Sequence, residues 1–252
     1  MRIVAILVVG FGLLLAALAA FAPATIVDRS LESRSEGRLR VADAAGTIWN
    51  GSGVLTDARN TWRVPLRWTI DARTLVSDTH VAALSPVDGA AAPTGTIGVG
   101  RDSVTLRNLA FDLPAQALAA ALTPRGVVTL GGTVELRTND FTWSDAGSAG
   151  SLALRWRDAR LVAAGVVADL GVVDLALAPQ GNRLAGRIVN SGGEVRLDGT
   201  VTLGSDAASV DVTAAPTATA SPSLARALAV VGTPDGSGAV RLGWRGSLRQ
   251  GK

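Results

Sequence analysis

The chain has 252 residues, with 24 basic and 21 acidic side chains that give a formal charge of only +3 at neutral pH. It contains no cysteine, no tyrosine and one histidine, His80, so disulfides and cysteine-ligated metals are excluded, and zinc, haem or Ser-His-Asp chemistry would need that one histidine. The arginines are spread singly, without the basic stripe typical of nucleic-acid binding, and we expect no nucleic-acid partner, no metal, no cofactor and no enzymatic activity.

The first predicted element is an apolar helix. Residues 3–22 carry no charge, and at about 1.5 Å per residue they form a helix as long as a bilayer core is thick. A cleaved signal peptide is the alternative, because small residues near the end of this run offer cleavage sites. The run is longer than a signal peptide needs and Pro23 follows the last site, which favours an uncleaved anchor. We expect residues 1–27 to form a membrane anchor with a cytoplasmic N-terminus, and residues 28–252 to form an exported domain.

Two short β-runs follow the anchor. Residues 28–40 mix acidic and basic side chains, which fits a short amphipathic tether, and the β-runs lie within residues 38–55. Gly46 and Gly51 punctuate these runs and place Trp49 near a tight turn between two strands.

The clearest strand pattern in the chain lies at residues 61–70, TWRVPLRWTI, where apolar side chains occupy every second position. Successive side chains of a β-strand point to opposite faces, so this pattern predicts one apolar face and one basic, hydrated face. Pro65 removes a hydrogen bond from the ladder, which favours an edge position or a bulge.

Two segments interrupt the strand pattern. Residues 113–122 and 221–232 are rich in alanine and leucine, and each opens near a proline, as the first turn of a helix commonly does. A strand precedes each segment and a glycine-punctuated β-run follows it. We interpret residues 103–137 and 208–248 as two copies of one strand–helix–hairpin unit, which indicates an internal duplication.

Alternating runs recur through the rest of the chain, and one of them places Trp156 on the same face as Leu152 and Leu154. Ten or more strands with short turns and two short helices predict a mainly β domain, in which an antiparallel sheet curls into a half-barrel or taco-like form. Exposed strand edges would be templates for a partner strand. The apolar face would form a trough that needs a lipid, a partner or a second copy to fill it, lined by Trp62, Val64, Leu66, Trp68, Val134, Leu136, Val195 and Leu197.

The six tryptophans have two interpretations: they fill a core built otherwise of small side chains, or they line a surface for a lipid or a protein. His80 lies near Ser77, Asp78 and Ser85 in the sequence, so a hydrolytic triad is conceivable. No glycine elbow surrounds a serine there, however, and we expect a surface histidine.

Several motifs together resemble the type II secretion system protein N family (general secretion pathway protein N). An apolar N-terminal segment precedes them, and the similarity extends over essentially the whole chain. The motifs are GTIWNG at 46–51, PLRW at 65–68, LPAQAL at 113–118, GGTVEL at 131–136, LALRWRDA at 152–159, GEVRLDGTVTL at 193–203 and a closing GSL at 246–248.

The resemblance implies a single-pass protein of the bacterial inner membrane with its main domain in the periplasm. It would be a non-catalytic accessory component of the apparatus that exports folded proteins across the outer membrane, in contact with other subunits. A periplasmic lipid carrier of the AsmA type is the alternative, with acyl chains in the trough. The resemblance suggests structural or contact roles for its matching residues, and the strand patterns add Trp62 and Trp156 to this set: Gly46, Trp49, Gly51, Trp62, Pro65, Leu66, Trp68 and Trp156.

Overall fold

The computed structural model of the protein describes nine stretches of the chain: residues 21–71, 73, 79–87, 93–117, 128–144, 147–163, 165–204, 207–231 and 234–247. Fourteen strands and two helices of ten residues each lie within them. The strand pairs within the described residues are antiparallel, so the prediction of a mainly β, antiparallel protein with short helices is confirmed. The chain divides into two compact units, Met1–Pro93 and Thr94–Lys252.

The first unit places its strands side by side in sequence order. Each strand of this unit pairs antiparallel with the next one along the chain. The elements are α1 (Thr25–Arg34), β1 (Leu39–Gly46), β2 (Asn50–Asp57), β3 (Arg63–Ile70) and β4 (Thr79–Ser85).

Strand β3 has the alternation that the sequence predicts. Every second side chain from Trp62 to Trp68 is buried, and the side chains between them are exposed. Pro65 lies on the exposed side, opposite Val54 of β2. Because β4 pairs with β3 only from Arg67 onward, β3 has no described neighbour on that side at Pro65, which fits the predicted edge position.

The second unit is also a sequence-ordered antiparallel arrangement, in the order β5-β6-β7-β9-β10-β11-β12-β13-β14, with the short β8 paired to the end of β7. Its elements are β5 (Thr94–Gly100), β6 (Ser103–Pro114), β7 (Val128–Ser144), β8 (Gly147–Gly150), β9 (Leu152–Ala163), β10 (Val166–Gln180), β11 (Arg183–Ser191), β12 (Val195–Leu203), β13 (Ala207–Pro216), α2 (Pro222–Val231) and β14 (Val240–Ser247).

One of the two predicted helices is confirmed, and the other begins later than predicted. Helix α2 matches the alanine- and leucine-rich segment at 221–232. In the first segment, however, Leu113 and Pro114 continue strand β6 and pair with Val134 and Thr133, so the expected helical start there is wrong. Helical backbone begins at residue 115, and the part of this segment beyond residue 117 lies outside the described residues. The internal duplication therefore stays a prediction.

Helix α2 covers part of the apolar face of the second unit. Leu224 is 3% exposed and belongs to a core with side chains from β9, β10, β12 and β13, while Leu228 packs against its margin. The start of the helix is fixed by Glu194, whose Oε1 accepts a hydrogen bond from the Ser221 N–H at 3.3 Å. The buried members of this core are Ala159, Ala168, Leu170, Val173, Val195, Ala214 and Leu224.

The opposite face of the second unit carries ion pairs between neighbouring strands. Arg155 Nε donates to Asp174 at 2.7 Å, and Arg187 pairs with Asp198. The hydrogen bond from Arg187 lowers the pKa of Asp198 below its ordinary value. Since these pairs are exposed and screened by salt, they add little to stability. They confirm that this face is hydrated, as the alternating sequence predicts.

Replacing Leu224 by alanine tests whether α2 packs on the sheet. We expect the substitution to lower the free energy of unfolding by about 2–4 kcal/mol, because it leaves a cavity under the helix. Chemical denaturation of the full chain in detergent would measure the loss. Arg226→Ala on the exposed side of the same helix is the control, with an expected change below about 0.5 kcal/mol. Equal losses for both variants would contradict the packing described here.

Candidate functional site

The first motif, GTIWNG, forms the turn between β1 and β2. The Thr47 N–H donates to the Asn50 carbonyl at 3.0 Å, and the Asn50 N–H donates back to Thr47 Oγ1 at 3.1 Å. Gly46 enters the turn with φ of +87°, a conformation that residues with a side chain rarely adopt. A Cβ at this position would also lie 2.5 Å from the Asn50 carbonyl oxygen. The turn therefore requires glycine at its first position.

The second motif, PLRW, supplies the tryptophan that packs against this turn. Trp68 lies directly opposite Gly51 in the β2–β3 register, and its side chain is 3% exposed. The indole Nε1 donates to the Ile48 carbonyl at 3.1 Å. A Cβ on Gly51 would lie 2.4 Å from the Cζ2 atom of the indole, which is closer than real contacts allow. The two motifs are thus one structural feature, because the indole occupies the space that a side chain at position 51 would take.

Trp49 lies in the same turn, as the sequence predicts. Its side chain is partly exposed, and its carbonyl accepts a hydrogen bond from the Ile70 N–H at 2.7 Å. This bond joins the turn to the end of β3. We call the turn of residues 46–51, together with Trp68, the turn–tryptophan cluster.

The chain that precedes α1 is joined to the turn–tryptophan cluster by backbone hydrogen bonds. The Ile48 N–H donates to the Ala22 carbonyl at 2.9 Å, and the Ala24 N–H donates to the Gly46 carbonyl at 3.1 Å. Ala24 is buried in one core with Trp68. The full core includes the buried residues Ala24, Val41, Leu66 and Trp68, with Val27, Leu31, Ala44, Leu55, Ile70 and Leu84 packed around them.

Asp28 attaches α1 to the outer side of β1. Its Oδ1 accepts the Val41 N–H at 2.8 Å, and its Oδ2 pairs with Arg40 Nη2 at 3.0 Å. Partial burial works to raise the pKa of Asp28, but the hydrogen bonds from Arg40 and Val41 outweigh it, so the pKa lies below its ordinary value. Further along, Ser35 Oγ accepts the Leu39 N–H at 3.0 Å. Sequence reasoning missed both residues, because the charge pattern of residues 28–40 indicated only a tether.

Of the remaining predicted site residues, Leu66 shares the core of Trp68, and the others do not join the turn–tryptophan cluster. Pro65 faces the exposed side of β3. Trp62 is 5% exposed, and its Nε1 has no hydrogen-bond partner among the described residues. Trp156 lies in the second unit, where its Nε1 donates to the Gly131 carbonyl at 2.8 Å and its ring packs on the core beneath α2. Trp68 and Trp156 therefore take part in hydrophobic cores, which is the first of the two interpretations given to the tryptophans.

His80 is an exposed residue of β4. The neighbouring residues of the conceivable triad, Ser77 and Asp78, lie outside the described residues. Within the described stretches, no group of three or more histidine, aspartate or glutamate side chains is placed to hold a metal ion.

The membrane anchor was predicted at residues 3–22, and residues 3–20 of it lie outside the described part of the chain. Of the helices that the structure describes, none is both long and apolar enough to cross a membrane.

The fold and the cluster define a mainly β protein whose motif residues hold a turn, a tryptophan and the chain after the predicted anchor together. The family model described as type II secretion system (T2SS), protein N matches residues 37–243, so the chain belongs to this family. The resemblance found in the motifs is confirmed. No curated protein and no solved structure matches the chain. Membership assigns the chain an accessory role in type II secretion.

Gly51→Ala tests the coupling of the two motifs. The added methyl would overlap the Trp68 indole and the Thr47 carbonyl, so we expect a loss of about 1–3 kcal/mol in the free energy of unfolding, as in other overpacked sites. Gly236→Ala is the matched control, because a Cβ there meets nothing within 4 Å. Denaturation of the two variants side by side gives the answer, and a stable Gly51→Ala protein would refute the close contact.

Asp28→Asn tests the attachment of α1 through pH. The lowered pKa of Asp28 means that its ionised form stabilises the folded chain above its ordinary value of 3.8, and that this stabilisation is lost as the pH falls through the lower folded value. We therefore expect the variant to melt below the parent protein at neutral pH, and the difference to close at pH values below 3.8. Asp102→Asn, at an exposed position, is the control and should melt close to the parent protein at neutral pH. A difference that persists in acid would exclude the ionic contribution.

Proposed function

We propose that this protein is a non-catalytic accessory component of the type II secretion system, held in the inner membrane by residues 3–22, with its β units in the periplasm. The match of residues 37–243 to the protein N family carries this proposal. The protein works through contacts with other secretion subunits, and its motif residues serve those contacts by fixing the geometry of the chain.

The turn–tryptophan cluster gives the motifs a mechanical role in this proposal. The predicted anchor ends at Ala22, whose carbonyl accepts the Ile48 N–H. Ala24 binds Gly46 and is 1% exposed, and α1 begins at Thr25. No flexible linker therefore separates the end of the predicted anchor from the first β-sheet. The cluster sets the distance of that sheet from the membrane and its orientation relative to the membrane.

One observation favours the lipid carrier as the second candidate. The Trp62 Nε1–H is buried and has no acceptor among the described residues, and such a group costs about 1–3 kcal/mol, which an ester or phosphate oxygen of a lipid would relieve. Against this candidate, the predicted trough positions Leu66, Val134 and Val195 are only 8%, 4% and 2% exposed. Since the chain already covers these side chains, little apolar surface there is left for an acyl chain.

A short Gly-Ser insertion directly after Ala22 tests the mechanical role. In a strain whose own copy is deleted, we expect the deletion to reduce the extracellular fraction of a type II substrate and the intact chain to restore it. The insertion variant should be present at normal level but restore secretion poorly, because it separates the anchor from the cluster. The same insertion at Gly165, an exposed turn residue between β9 and β10, is the control. Full secretion with the insertion after Ala22 would contradict the mechanical role.

A photo-crosslinking residue separates the two candidates. It is placed at Leu66 on the buried face of β3 and, as the matched control, at Arg67 on the exposed face. Phospholipid adducts at Leu66 alone would favour the carrier. Adducts to secretion subunits at either position would favour the scaffold proposed here.

A further inference from the structure

The outer edge of β14 has no strand paired along it among the described residues. On its inner side, β14 pairs with β13 along its whole length, from Val240 to Ser247. On its outer side, the described contacts are confined to its beginning, where Pro234 forms a bridge with Val240 and the Asp235 N–H donates to the Ala239 carbonyl at 2.8 Å. Beyond Val240, no described strand pairs with the outer side.

The hydrogen bond from the Asp235 N–H to the Ala239 carbonyl shows which backbone groups of β14 point to its outer edge. The Ala239 carbonyl points outward to Asp235, and backbone groups in an antiparallel strand alternate between its two sides with a period of two. The N–H and C=O groups of Gly243 and Arg245 therefore point to the outer edge. A Cβ built on Gly243 meets nothing within 4 Å, so the face of the sheet at this residue is open.

Strand β1 shows how this chain protects another strand edge. There, Asp28 accepts the Val41 N–H, Ser35 accepts the Leu39 N–H, and the Gly46 carbonyl accepts the Ala24 N–H. None of the described contacts gives the later part of β14 comparable protection. Proteins usually cover or charge such edges, because unpaired ladder groups are a template for another strand.

The side chains of β14 indicate what kind of strand would fit. On one face, Trp244 is 52% exposed, and its indole lies along the strand over Gly246, where an added Cβ would be 2.3 Å from the ring. On the other face are Arg241 and Arg245, and β14 contains no acidic residue. Arg241 pairs with Asp211, and Arg245 acts on the same carboxylate only at longer range. The edge thus offers an aromatic surface on one face and a positive charge on the other.

Arg183 of β11 adds positive charge on the side of the sheet where Arg245 lies, because the two arginines line one hollow of about 470 Å³ together with hydroxyl and amide groups. The described lining of this hollow holds no carboxylate.

We propose that the outer edge of β14 binds an extended segment of a partner protein by strand addition, with acidic side chains facing Arg245 and apolar side chains facing Trp244. Main-chain hydrogen bonds supply affinity in this mode, and alternate side chains supply specificity. The inference rests on the contact-based function proposed above and names the chemistry of the partner. A second copy of β14 is a poor occupant, because antiparallel pairing of the two edges would bring their arginines together.

The binding test uses the full chain in detergent and a fluorescent synthetic peptide of about eight residues, the length of a typical strand, in which glutamate and valine alternate. We expect saturable binding. Gly243→Pro, which removes an outward N–H, should weaken it about tenfold or more, whereas Gly243→Ala, which keeps the N–H, should not. Arg245→Glu should weaken it and Arg245→Lys should largely retain it. A peptide with lysine in place of glutamate should bind poorly.

Two results would overturn the proposal. One is equal peptide affinity of the Gly243→Pro and Gly243→Ala proteins, provided that both show the unfolding transition of the parent. The other is a dimer in sedimentation that Gly243→Pro dissociates, because the occupant would then be a second copy.

A secretion assay distinguishes failure of this inference from failure of the proposed function on which it rests. If deleting the protein leaves secretion intact, the proposed function fails. If deletion abolishes secretion and Gly243→Pro restores it as well as Gly243→Ala does, the function stands and the β14 edge is excluded as its contact surface.

Discussion

The close approach of the Trp68 indole to the α-carbon of Gly51 is the constraint on which the first unit depends. Only a hydrogen fits between them, and the indole N–H then reaches the Ile48 carbonyl. That contact fixes the turn of residues 46–51. The turn is joined by hydrogen bonds to the backbone at Ala22 and Ala24. Packing of one aromatic ring therefore determines how the chain after the predicted anchor enters the sheet.

The same contact shows how far the sequence could be interpreted. Strict alternation predicted which side chains of β3 are buried, and a glycine-rich motif predicted the turn. The reason for glycine at position 51 could not be predicted, because it depends on the register that places Trp68 opposite it. Likewise, the role of Asp28 depends on where α1 lies, and Leu113 joins β6 because pairing with β7 outweighs the helical preference of its neighbours.

The outer edge of β1 in the first unit and the outer edge of β14 in the second unit differ in how their backbone groups are satisfied. Side chains and backbone of the segment containing α1 satisfy the outer groups of β1. Among the described residues, none pairs with the outer backbone groups of the later part of β14, which carries an exposed Trp244 and two arginines. The motifs thus join the first unit to the chain after the predicted anchor, whereas the β14 edge is the surface at which we infer that a partner binds.

Hydrogen exchange of backbone amides tests the central claim most directly. In the full chain in a detergent micelle, peptides that cover residues 22–28 and 46–51 should exchange slowly, and Gly51→Ala should speed exchange in both segments together. Gly236→Ala should change neither. Rapid exchange at residues 22–28 in the parent protein, or a Gly51→Ala effect confined to the turn, would mean that the turn–tryptophan cluster does not hold the chain after the predicted anchor.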